Sequence, residues 1–131
     1  MIAKQLSIFL ENKTGRLTEV AEVLGKAGVN LAAMSIADNS DFGILRCIVS
    51  DTERGYEALR GAGFAVKITD VVSFTCRNTP GSLAGVLRYL SDNGVAFEYL
   101  YSYSNGDSAE IIIHTSSLEN SEQLLTKFFS K

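Results

Sequence analysis

Hydrophobic positions along the chain change period at regular intervals. Leu6 to Leu10 is a short apolar, β-prone run, and a polar loop with Asn12 and Gly15 follows it. Leu17, Val20, Ala21 and Leu24 then recur at three-and-four spacing, which places them on one face of a helix. Gly28 ends that helix, because glycine tolerates the left-handed conformation a C-terminal cap requires. Two strands are predicted next, at about Val29 to Ala37 and Gly43 to Ser50, around a turn rich in Asp, Asn and Ser. A second helix starts near Thr52, and Phe64 to Ile68 closes the unit as a further strand.

The same pattern is then written again. Asn12-Lys13-Thr14-Gly15-Arg16-Leu17 and Asn78-Thr79-Pro80-Gly81-Ser82-Leu83 share their spacing, and an offset of 66 carries Gly15 onto Gly81. Without a gap it also carries Val20 onto Val86, Leu24 onto Leu90, Gly28 onto Gly94, Val29 onto Val95, Asn39 onto Asn105, Asp41 onto Asp107, Glu53 onto Glu119 and Leu59 onto Leu125. Order kept over that span marks a duplicated unit. The second copy repeats the helix face at Leu83, Val86, Leu87 and Leu90, strands at Val95 to Tyr103 and Ala109 to Thr115, and a helix from near Leu118.

Strand, helix, strand, strand, helix, strand is the ferredoxin-like βαββαβ order, an α+β unit with an antiparallel sheet and both helices on one face. The chain therefore divides at 1–68 and 69–131. The second copy is short, since Lys131 falls on Ala65 and the last strand is almost wholly missing. Phe128, Phe129 and the chain end substitute for it, or that sheet has one strand fewer.

Composition excludes several classes. At 46% hydrophobic and 21% charged residues the chain has the balance of a soluble globular protein. The net charge of -3 and the scattered Lys and Arg argue against a nucleic-acid partner. No apolar run approaches the roughly 20 residues needed to cross a bilayer, and the first residues lack a signal peptide's pattern, so a cytoplasmic location is expected, with no membrane partner. Cys47 and Cys76 are far apart, without a CxxC spacing, and read as buried small hydrophobes rather than a metal or redox pair.

Catalysis has little to stand on. The lone histidine, His114, lies in a strand with no nucleophile or carboxylate cluster placed beside it, and no phosphate-binding loop occurs. The sheet strands lack the aromatic and basic residues of an RNA-recognition motif. No catalytic residue, metal or cofactor is expected. Tyr99, Tyr101 and Tyr103 alternate along one strand, a ladder suited to a protein interface or pocket wall, or to partial core burial.

The first loop of each unit carries the chemistry. A strand entering a helix through Asn-x-x-Gly presents the unpaired N–H groups of the first helical turn to the loop, where they favour an anion such as a carboxylate. Thr79 is expected as the N-cap of the third helix and Pro80 as its first residue. An amino-acid zwitterion fits there, with its ammonium on the amide oxygen of Asn12 or Asn78. The same residues also make an ordinary Asx turn and helix cap without a ligand.

Strand, N-x-x-G-x-L, and an amphipathic helix ending G-V-N-L or G-V-A-F resemble the ACT domain, and R-N-T-P-G-S-L is similar to that family's D-R-P-G-x-L form. Thr14 stands where proline is frequent. The resemblance implies two ACT domains without an attached catalytic domain, paired side by side into one larger sheet. Such domains regulate enzymes of amino-acid metabolism and bind a free amino acid where two units meet, between one unit's first loop and its neighbour's second strand. The pair is supplied internally or by a homodimer. Carried onto this chain, the resemblance points to Asn12, Thr14, Gly15, Arg16 and Leu17, and to Asn78, Pro80, Gly81, Ser82 and Leu83. It points also to Asn30, whose place in the second copy is taken by Ala96. The expected function is a non-catalytic amino-acid sensor; the alternative is an interaction module without a ligand.

Overall fold

A computed structural model describes residues 1–38 and 42–130 of the chain. The Asp, Asn and Ser turn expected after the second strand falls at 39–41, outside the described residues. The elements are β1 (Ile2–Glu11), α1 (Arg16–Lys26), β2 (Leu31–Asp38), β3 (Phe42–Val49), α2 (Thr52–Gly61), β4 (Ala65–Arg77), α3 (Ser82–Asp92), β5 (Phe97–Asn105), β6 (Ser108–Thr115) and α4 (Leu118–Phe129). They form two compact units, Lys4–Thr69 and Met1–Ala3 with Asp70–Lys131.

In the first unit the strands lie in the order β2-β3-β1-β4. The β1 and β3 strands are antiparallel, with Leu6 opposite Cys47 and Leu10 opposite Gly43, and β2 pairs with the other edge of β3. Period-two alternation sends Leu6, Ile8, Leu10, Leu45, Cys47 and Val49 to one face, where Val20 and Leu24 of α1 and Leu59 of α2 complete a buried core. Each of these large apolar side chains contributes about 1.5–3 kcal/mol by leaving water, so core burial outweighs any single cap or ion pair. Leu17 and Ala21 share the predicted helix face but stay outside that core, Leu17 being 40% exposed. The Cys47 thiol is wholly buried, which pushes its pKa up to about 12 and keeps it protonated.

The second unit has strand order β1-β4-β6-β5, with β4 contributing Asp70–Arg77. Val72, Phe74, Cys76, Ile111 and Ile113 from the sheet meet Val86 and Leu90 of α3 and Leu125 of α4. Both α1 and α3 end alike: the Gly28 N–H donates to the Gly25 carbonyl and the Val29 N–H to Leu24, as Gly94 and Val95 donate to Ser91 and Leu90. This pair of hydrogen bonds, with glycine at φ 73° and 80°, is a Schellman motif built on the left-handed glycine expected to end the helix.

The short last strand is replaced by neither route considered above. Met1–Ala3, the start of β1, joins the second unit, where the Met1 ammonium donates to the Ser73 carbonyl at 2.9 Å and the Ser73 N–H returns a bond to Met1 at 2.8 Å. Ile2 packs against the second core as Ile68 packs against the first. Phe128 and Phe129 remain in α4, which leaves them helical rather than extended.

Candidate functional site

Glu11 ends β1, and the chain crosses to α1 through four residues. Lys13 N–H donates to the Glu11 carbonyl and Arg16 N–H to that of Lys13, folding the loop tightly. Gly15 stands at φ 92°, ψ -11°, a left-handed conformation that a side chain would strain, and no side chain caps α1. The helix therefore opens with first-turn N–H groups facing the loop. Leu10, Glu11, Asn12, Lys13, Arg16 and Leu17, with Ile36 of β2 and Gly43 of β3, surround a pocket of about 150 Å³ there.

Its electrostatics are mixed. The Lys13 ammonium lies 3.0 Å from the Glu11 carboxylate and, through that hydrogen bond and its charge, holds the Glu11 pKa below the usual carboxylate value. Arg16 places its guanidinium 4.6 Å above the Phe64 ring and donates to Glu19 at 2.9 Å, while its Nε is buried with no hydrogen-bond partner. A buried donor left unpaired costs roughly 1–3 kcal/mol, so this atom is poised for an acceptor.

The second loop differs. Its helix also starts after a left-handed glycine, Gly81 at φ 86°. Thr79 is not the N-cap and Pro80 is not the first helical residue, because the left-handed glycine delays the helix to Ser82. Thr79 and Ser82 instead share a hydroxyl hydrogen bond at 2.5 Å. The Asn78 amide donates to the Gly106 carbonyl at 3.3 Å and its N–H to Asp107 at 2.8 Å, tying the loop to the β5–β6 turn. Leu83 leans onto the second core.

Asn30 lies elsewhere in the first unit. Its N–H donates to Ser50 Oγ and its carbonyl accepts from the Ser50 N–H, at the end where β2 begins. Asp38, at the other end of β2, pairs with Gly43 beside the loop. Seven strand steps of about 3.3 Å separate the two ends by roughly 23 Å. One unit therefore gathers Asn12, Arg16 and Leu17 at a common pocket, with Thr14 and Gly15 in the loop beside it, and leaves Asn30 at its far end.

Two groupings had no signal in the linear pattern. Ile36 and Gly43 reach the pocket only through the β2–β3 register. Glu98 sits at a register shift in β5, which turns its carboxylate to His114 Nδ1 at 2.6 Å while the His114 ring stacks on Tyr99 at 5.0 Å. The tyrosine ladder does occupy one sheet face, opposite His114, Ile112 and Glu110; Tyr101 is buried and the other two are partly exposed.

Comparison with known proteins places this geometry in context. A family model described as an ACT domain pair matches residues 1–128. A solved structure of a Bacteroides thetaiotaomicron protein is 55% identical, with a TM-score of 0.92, over 97% of this chain and 88% of that one. The ligand-free regulatory subunit of aspartate kinase from Thermus thermophilus shares the fold at a TM-score of 0.71 and 13% identity, over 97% and 96% of the two chains. The corresponding subunit from Thermus flavus gives 0.64 and 15%, over 98% and 96%. No curated protein matches.

Proposed function

The chain belongs to the ACT domain pair family, and from that premise we propose that it is a non-catalytic regulatory protein whose first loop binds a free amino acid. The observation carrying this reading is the pocket into which the uncapped start of α1 opens. The ligand's carboxylate meets the first-turn N–H groups and the positive Arg16 side chain, and its ammonium meets the amide oxygen of Asn12. Regulatory subunits of aspartate kinase share the fold, which fits a role in amino-acid metabolism.

The pocket volume sets a condition on this site. Small-molecule sites enclose about 300–1,000 Å³, so some 150 Å³ is half of one. The other half is the start of β2 of another ACT unit, which brings Asn30 to the ligand; in our reading a second copy of the chain presents it. Binding that favours the paired state is what makes such a site regulatory. The second loop, tied to the β5–β6 turn, serves as structure.

A thermal-shift screen against the free amino acids tests the proposal. A ligand at about a hundred times its Kd adds roughly 2.7 kcal/mol to stability. Asn12→Ala and Asn30→Ala each abolish the shift in melting temperature, while Asn78→Ala, corrected for its own stability, retains it. The absence of any shift at millimolar amino acid removes the sensor reading.

A further inference from the structure

Leu17 is left over from the packing of α1. It shares the helix face of Val20 and Leu24 but stays outside their core, and it stands on the wall of the first-loop pocket with Ile36 of β2, which is 52% exposed. Ile36 pairs with Leu45 across the β2–β3 register, and its Cγ1 and Cδ1 lie 3.7 Å from the point where a Cβ on Gly43 would stand. Gly43 lies opposite Leu10 of β1, so glycine there leaves the pocket floor between the two strands without a side chain.

The fold does not require this wall. The offset of 66 carries Ile36 to Ser102 and Gly43 to Ala109, while the register is kept, since Ser102 pairs with Ile111 as Ile36 pairs with Leu45. The second unit thus builds the same strands with a hydroxyl in place of the apolar wall and a methyl on the floor. Apolar side chains around a concavity, with a few polar groups to fix orientation, are the usual lining of a small-molecule site.

Charges on the wall are already matched. Lys13 lies 3.0 Å from Glu11, and Arg16 donates to Glu19 at 2.9 Å while it covers the Phe64 ring. With the ligand's carboxylate on the helix start and Arg16, and its ammonium on Asn12, the described residues of the wall leave no charge for a ligand side chain of either sign. A second carboxylate would compete with Glu11 for Lys13, and a second ammonium would face Lys13 and Arg16.

We infer that the amino acid held at the first loop has a neutral, apolar side chain, branched aliphatic or phenyl, seated between Leu17 and Ile36 over Gly43. The inference rests on the amino-acid reading of that loop and adds the class of side chain to it. Size agrees, because an apolar cavity of about 150 Å³ admits benzene, so leucine, valine and phenylalanine fit the space. Each methylene that the pocket takes out of water strengthens binding by about fourfold. A hydroxyl in the same place exchanges water for carbon neighbours, which separates threonine from valine.

Titration calorimetry of the unaltered chain with single amino acids reads the preference. Leucine, valine or phenylalanine is expected to bind tightest, and threonine at least about tenfold more weakly than its isostere valine. Aspartate and lysine bind at least about a hundredfold more weakly than leucine. Ile36→Ala and Leu17→Ala, both at partly exposed side chains outside the core, lower the ratio of leucine to alanine affinity by about fivefold, because they remove carbon that only the longer ligand reaches. A disturbance of folding or of the pairing of copies weakens both ligands alike and leaves that ratio unchanged. The inference is overturned by threonine matching valine, by a charged amino acid binding tightest, or by an unchanged ratio in both variants. Where such a ligand binds and Asn12→Ala abolishes its binding, the amino-acid site stands and only its side-chain class falls; binding of no amino acid overturns both.

Discussion

The loops at Asn12–Leu17 and Asn78–Leu83 begin from one spacing and end in different states. Both place a left-handed glycine before a helix whose N-cap makes no side-chain bond. The first leaves Asn12 and Arg16 on the wall of a pocket; the second spends Asn78 on Gly106 and Asp107 and pairs Thr79 with Ser82. Duplication thus preserved the backbone that favours an anion, while side-chain partners decided which copy keeps it open. The two cores diverge in the same way, one closed by Phe64 and the other bordering a cavity of about 490 Å³ at Leu125.

The widest test of that contrast is truncation of the matched core leucines. Leu59 is fully buried and Leu125 nearly so, but Leu125 borders the cavity. Leu59→Ala is expected to cost about 3–4 kcal/mol and Leu125→Ala about 2, because less well-packed surroundings lose fewer contacts. Urea denaturation measures both, and equal losses would show the second core to be as tightly closed as the first.

Exchanging the residues at one matched pair probes the helix packing next. Gly55 falls on Ser121, which is buried and hydrogen-bonded to Thr115 and to the Ser117 carbonyl. A Cβ at Gly55 would meet Leu6 Cδ1 at 3.1 Å and Leu24 Cδ2 at 3.3 Å, so Gly55→Ser should cost about 2 kcal/mol. Ser121→Gly should cost about 1–2 kcal/mol through the lost bonds and greater backbone freedom. A neutral Gly55→Ser in the same assay would mean that α2 moves away from β1 without penalty.

The smallest expected effect sharpens the loop comparison. Nothing lies within 4 Å of a Cβ built at Gly15 or Gly81, so alanine at either position incurs the left-handed strain alone, about 1 kcal/mol. Differential scanning calorimetry should find the two substitutions equal in stability. A larger loss for Gly81→Ala would show that the second loop's hydrogen bonds depend on that backbone angle.

Much of the fold was legible in the linear pattern because its signals are local. The three-and-four spacing of Val20 and Leu24, the apolar run of Leu6 to Leu10, and the glycines after α1 and α3 each act within a few residues. Local signals also misled: Leu17 and Ala21 fit the helix face and stay outside the core, and Thr79 and Pro80 fit a helix start that Gly81 postponed. Asn12, Arg16 and Leu17 line one pocket because loop and helix start are contiguous.

The sequence alone determined that one strand-and-helix order is written twice and the approximate place of each element, since side-chain period and turn chemistry are properties of neighbouring residues. Tertiary structure decided what no local period encodes: that Met1–Ala3 serves the second unit, that Ile36 and Gly43 wall the first loop, and that Asn30 stands a strand's length from Asn12. Strand pairing and register join residues distant in sequence, and only the closing of the sheets chooses among those partners.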